Sequence, residues 1–334
     1  MNPFSHFPFS HHSVTERTLI RILKRTLATT LTLIMILMTV SCAASGTSDD
    51  TARVTTGSLA GSSTAAGSSD SETDDIVYVT SVYPLFLAAS QIARSVDGVT
   101  VVNLTDEVTG CLHDYQLTTG NMKTLEEADA FIINGVGLEG YLEQIASDLP
   151  DLQVMEATKD VPLLDDNPHV WVSVSLMIRQ VETIAAQMGA FDPVNRDAYN
   201  LNAQAYLDRL SVLRQKMHDS ISTLSDRRII TVHEAFPYFA AEFGLEIVGI
   251  IEREPDSEPS AAELAATIEL IREQNVKAVF AEPQYPVDAA RQIAEESGAR
   301  LFTLDPVSSG DLQNLDAYLE IMEQNRQVLV EALQ

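Results

Sequence analysis

The chain has 334 residues, 45% of them hydrophobic, with 21 Lys and Arg against 48 Asp and Glu and a formal net charge of -27. That length accommodates two domains of ordinary size, the apolar content excludes global disorder, and the acidic balance argues against a nucleic-acid backbone as partner. Two cysteines, Cys42 and Cys111, provide neither a disulfide scaffold nor a Cys-only zinc module, so a metal site must draw on His and carboxylates.

Residues 1–41 read as an export signal. Arg17, Arg21, Lys24 and Arg25 precede an apolar run from Leu27 to Val40 that is short for a membrane span and ends in small residues. Thr39-Val40-Ser41-Cys42 resembles the lipobox of bacterial lipoproteins, with Thr39 where leucine is usual; a lipidated Cys42 would then be the mature N-terminus, a signal anchor or an ordinary cleaved peptide being the alternatives. Residues 42–75, almost all Ser, Thr, Gly, Ala and Asp, are too poor in large apolar groups to offset the entropy of ordering and read as a flexible tether.

From Ile76 onward, short β-branched runs alternate with helical patterns, the signal for βα units and parallel sheets. Expected strands are 76–81, 99–104, 130–134 and 153–156. Between Asp192 and Leu224, Tyr199, Ala203, Tyr206, Leu210, Leu213, Met217, Ile221 and Leu224 recur at intervals of three and four, marking one long amphipathic helix with Asp192-Pro193 as cap and first residue. The alternation then resumes with strands at 228–232, 246–251, 277–281 and 300–304 and helices at 260–274, 287–297 and 315–333. The fold class is therefore α/β: an N-terminal lobe over 76–191, a linking helix over 192–225 and a C-terminal lobe over 226–334.

Of seven histidines, His6, His11 and His12 lie in the expected signal, leaving His113, His169, His218 and His233. His233 follows a strand directly, as does Asp305, and ligands of open α/β sheets gather beyond the carboxyl ends of strands. Three imidazoles and a carboxylate suit a borderline divalent cation such as zinc. Spacing alone does not make these side chains converge.

The wording around them carries more. His113-Asp114-Tyr115, Asn167-Pro168-His169-Val170-Trp171, His233-Glu234-Ala235-Phe236-Pro237-Tyr238-Phe239, Phe280-Ala281-Glu282-Pro283-Gln284 and Leu304-Asp305-Pro306 resemble, in order and spacing, the ZnuA/TroA-like solute-binding proteins of bacterial zinc and manganese ABC importers. The resemblance covers about residues 76–334 and implies two (β/α) lobes bridged by a rigid helix, with metal held between them. It places the metal ligands at His113, His169, His233 and Asp305, the last position being water in some members, and makes Glu282 a candidate hydrogen-bond acceptor behind a ligating histidine. Cys111 stands where proline is common, Asn167 where Asp is frequent, and Val172-Ser173-Val174 where Leu-Asp-Pro is usual; no His-rich loop lies between Asp160 and Asn167. Manganese members typically carry a carboxylate at the position of His233, so the implied ligand is Zn2+ rather than Mn2+. The implied partners are an ABC permease and its ATPase, with the chain a monomer anchored outside the cell membrane by lipid.

A zinc hydrolase is the rival from another class, with Glu234 or Asp114 as general base, but no HExxH or comparable signature is present. An adhesin on the same fold is the third reading. His218, Trp171 and Cys111 are expected on the surface, in the core and as a small packed side chain, respectively.

Overall fold

A computed structural model describes residues 75–105, 115–251 and 259–334; the signal, the tether, Cys42, Cys111, His113 and Asp114 lie outside the described residues. The first sheet contains β1 (Ile76–Thr80), β2 (Val99–Asn103), β3 (Ala130–Ile133) and β4 (Gln153–Glu156), all parallel, in the order β2-β1-β3-β4. The second contains β5 (Arg228–Thr231), β6 (Glu246–Ile250), β7 (Ala278–Ala281) and β8 (Arg300–Thr303), also parallel, in the order β6-β5-β7-β8. The two lobes thus repeat one topology without a repeated sequence. In each, the strand order reverses between the first and third strands, the place where open α/β sheets bind ligands.

Nine helices are described: α1 (Tyr83–Ile92), α2 (Thr119–Glu127), α3 (Leu142–Asp148), α4 (Val174–Phe191), α5 (Arg196–Ile221), α6 (Pro237–Phe243), α7 (Ala261–Gln274), α8 (Asp288–Ser297) and α9 (Ala317–Leu333). Strand side chains alternate between faces, so each sheet has two apolar sides. In β3, Phe131 and Ile133 join Leu125 and Ile145 on one side, while Ala130 and Ile132 join the central core. In β7, Val279 and Ala281 pack with Ile268 and Ile293, while Ala278 and Phe280 face that same central core. One apolar core therefore runs between the two sheets and belongs to both lobes. The fully or nearly fully buried residues of α5 are Tyr199, Ala203, Tyr206, Leu210, Leu213, Met217 and Ile221, the stripe its periodicity predicts.

Two details differ from the sequence expectation. The long helix begins at Arg196, not at Asp192-Pro193. Asp192 closes α4, and its carboxylate accepts from Asn195 Nδ2 at 2.7 Å and Tyr199 Oη at 2.7 Å, so Pro193 sits in the turn between two paired helices. The other is α4 itself, which lies beside α5 and makes the link a helix pair. Its cap is Ser173, whose Oγ accepts from the Leu176 N–H at 3.2 Å.

Cross-lobe hydrogen bonds hold this arrangement. Glu242 of α6 accepts from Ser173 Oγ and Ser175 Oγ, both at 2.6 Å, and from the Ser175 N–H at 3.2 Å, placing a carboxylate at the N-terminus of α4 where the helix dipole favours it. Glu242→Ala is expected to lower stability by about 2–3 kcal/mol, because two hydroxyls and one amide lose a charged acceptor in a buried junction. Urea unfolding should show a reduced midpoint at unchanged slope. Tyr83 Oη donates to the Asp311 carbonyl at 3.1 Å, an approach that favours glycine at 310: a Cβ there would lie 2.6 Å from Tyr83 Oη.

Candidate metal centre

His169 precedes a short 3-10 turn over Val170–Val172, and His233 lies two residues beyond β5 at the strand-order reversal of the second sheet. They are 64 residues apart in sequence, yet their Nε2 atoms face each other at 3.4 Å. The residues are 5% and 6% exposed, so the pair is enclosed. Trp171 lies beside His169, with ring centroids 5.4 Å apart, and Tyr285 beside His233 at 4.9 Å.

Each imidazole has an acceptor behind it. His169 Nδ1 faces Asn167 Oδ1 at 3.1 Å. His233 Nδ1 lies 2.6 Å from Glu282 Oε2, and Glu282 Oε1 also accepts from the His233 backbone N–H at 3.2 Å. An acceptor beside each Nδ1 favours the tautomer that carries the ring proton there. Both Nε2 atoms then present lone pairs. Two lone pairs facing each other at this distance repel unless a cation or a donor lies between them. Nitrogens bound to one tetrahedral zinc, each about 2.0–2.1 Å from the metal, stand about 3.3–3.4 Å apart.

Glu282, the candidate acceptor behind a ligating histidine, has its carboxylate beside His233 Nδ1. It lies at the end of β7 with its side chain fully buried. Glu282→Gln should reduce metal affinity about 10–100-fold by removing the anionic acceptor that holds the His233 ring in place, with a titration using a competing chelator as the measurement.

Asp305 follows β8, but it does not join His169 and His233 in a cluster: among the described residues, no three His, Cys, Asp or Glu side chains form a metal-binding group. Its Oδ1 accepts from the Val307 N–H at 2.8 Å and Gln284 Nε2 at 3.2 Å, and its backbone is clamped by the Asn325 amide on both sides, at 3.0 and 2.8 Å. Burial pushes the Asp305 carboxyl above its ordinary range, against the lowering effect of these two donors. Trp171 is in the core as expected, 2% exposed, and its Nε1 donates to the Pro306 carbonyl at 2.7 Å, tying the His169 segment to the Asp305 segment. His218 is less free than expected of a surface residue. Its side chain is 43% exposed but lies 3.6 Å from Glu242, with its ring 4.8 Å from that of Phe243.

Sequence reasoning gave Asn167 only as a departure from a pattern. In the structure it lies at the centre of the site's hydrogen bonding, a role that required knowing which carbonyl its amide meets. Glu234 is exposed and contributes its backbone carbonyl to that contact.

Residues 79–332 match the family model described as zinc-uptake complex component A, periplasmic. The high-affinity zinc uptake system protein ZnuA of Bacillus subtilis (strain 168) is 29% identical over 297 residues, 82% of this chain and 92% of that protein. The manganese-binding lipoprotein MntA of Halalkalibacterium halodurans is 26% identical over 231 residues, 66% of this chain and 77% of that protein. Among solved structures, the solute-binding protein FpvC of P. aeruginosa in complex with Ni2+ superposes with a TM-score of 0.71 at 34% identity, covering 78% of this chain and 97% of that one. The match runs from within β1 almost to the end of α9, and the chain belongs to the ZnuA family of metal-binding receptors of ABC importers.

Proposed function

We propose that the chain is an extracytoplasmic receptor that captures Zn2+ and hands it to an ABC permease driven by its ATPase. The observation that carries this reading is the 3.4 Å spacing of His169 Nε2 and His233 Nε2, with an acceptor behind each ring. His113 supplies the third imidazole, and the tetrahedron is completed by water, or by Asp305 once its carboxylate leaves Val307 and Gln284. Lipidated Cys42 holds the chain on the membrane, the tether over 42–75 lets the receptor stand off it, and the lobes at 76–191 and 226–334 enclose the ion as a monomer.

A relative named for manganese and a neighbour solved with Ni2+ make the choice of metal a question of chemistry. Imidazole suits zinc, whereas manganese prefers oxygen-rich sites. His233 is therefore the discriminating residue. His233→Glu should weaken zinc binding and narrow the gap to manganese, because it adds a hard oxygen donor and a negative charge. Competition titrations on the unmodified protein should place zinc well ahead of manganese; equal affinities would move the assignment to manganese.

A further inference from the structure

We infer that Asn167 is a positioning residue that both orients His169 and straps it to the loop carrying His233, a role that rests on the reading of these two histidines as metal ligands. Asn167 Oδ1 accepts from the His169 backbone N–H at 2.9 Å and faces His169 Nδ1 at 3.1 Å. Its Nδ2 donates to the carbonyl of Glu234, the residue after His233, at 2.8 Å, across 67 positions of sequence. Its own carbonyl accepts from Tyr238 Oη at 2.9 Å, and that hydroxyl also accepts from the Leu164 N–H at 3.0 Å.

These partners fix the orientation of the amide. A backbone N–H can only donate and a backbone carbonyl can only accept, so the oxygen must face His169 and the nitrogen must face Glu234. The nitrogen of His169 that faces this oxygen then carries the proton, leaving Nε2 with its lone pair toward His233. Asparagine performs both tasks with one planar group. Aspartate could still accept from His169, but it has no hydrogen to give Glu234 and would set a negative oxygen against a carbonyl oxygen. The structure thus separates orientation of the ligand, which needs only an acceptor, from the strap, which needs a donor as well.

The strap bears on the metal because the two histidines come from different lobes. The His169 segment is held on its own lobe by Asn134, whose Nδ2 donates to the Pro168 carbonyl at 2.9 Å. Asn167 supplies the corresponding tie to the other lobe, within two residues of His169 and one of His233. The spacing that suits a tetrahedral ion is therefore set partly by a neutral side chain that touches no metal.

Two variants separate the two tasks. Nitrogen NMR of metal-free protein at pH 8 should show His169 protonated at Nδ1 in the wild type and in Asn167→Asp, with Nε2–H appearing in Asn167→Ala. A tautomer unchanged in Asn167→Ala overturns the orienting role. Zinc titration should then show both variants weakened at least about 10-fold, the size expected when an outer partner of a metal ligand is lost. Asn167→Asp binding zinc as well as the wild type overturns the strap. Since the NMR measurement needs no metal, it decides the orienting role by itself, and failure of the wild type to bind zinc counts against the receptor reading instead.

Discussion

Replacing His233 by alanine is expected to lower zinc affinity by more than about 100-fold, beyond the range typical for losing an outer partner, or at least about 2.8 kcal/mol. His233 is buried, its Nε2 stands 3.4 Å from that of His169, and Glu282 is committed to its other nitrogen. Removing the ring takes away a donor and also leaves the fully buried Glu282 carboxylate facing a cavity. His169→Ala should do comparable damage by opening the opposite edge of the site. His218→Ala is the control, since that ring lies against Phe243 rather than at the facing pair. Calorimetry with each variant, after confirming by unfolding that it remains folded, is the measurement. An affinity unchanged in either of the first two removes that residue from the site.

Zinc should also raise thermal stability strongly. A ligand that binds only the native state adds about 4 kcal/mol at a thousandfold excess over Kd, which for a domain of this size shifts Tm by roughly 8–16 °C. The direction with pH follows from competition at nitrogen. Protons compete with the metal for the ligand nitrogens, so acid favours the free form and the zinc-induced shift should shrink as pH falls. Scanning calorimetry at pH 7.5 and pH 5, with zinc and with chelator, tests both parts. A Tm indifferent to zinc and chelator at pH 7.5 counts against a metal receptor of any kind.

Much of the fold was legible because it is written in local pattern. All eight strands fall within a residue or two of the β-branched runs, and the buried stripe of α5 is the set of residues that its three-and-four spacing marks. The start of α5 was misplaced because Asp192-Pro193 has the form of a helix start, while its carboxylate is used three and seven residues further on. Helix α4 went unread, although Val174, Met177, Val181, Ile184 and Met188 have helical spacing behind a serine cap.

The site divides along the same line. His169, His233 and Glu282 could be nominated from motif and from position after strands, but the convergence of the two rings depends on tertiary packing that no periodicity encodes. Asn167 and Glu242 were illegible for a stricter reason: each acts through partners 67 to 69 residues away, so its role exists only once both lobes are in place. Asp305 shows the converse, a residue nominated by motif whose carboxylate is engaged by Val307 and Gln284 and does not cluster with the facing histidines.

X-ray absorption at the zinc edge of the loaded protein reads directly whether one ion lies between His169 Nε2 and His233 Nε2. The expected spectrum has a first shell of nitrogen and oxygen at about 2.0–2.1 Å, with the outer-shell scattering of at least two imidazoles that disappears stepwise in His169→Ala and His233→Ala. A first shell without imidazole, or one dominated by sulfur at about 2.3 Å, would contradict it.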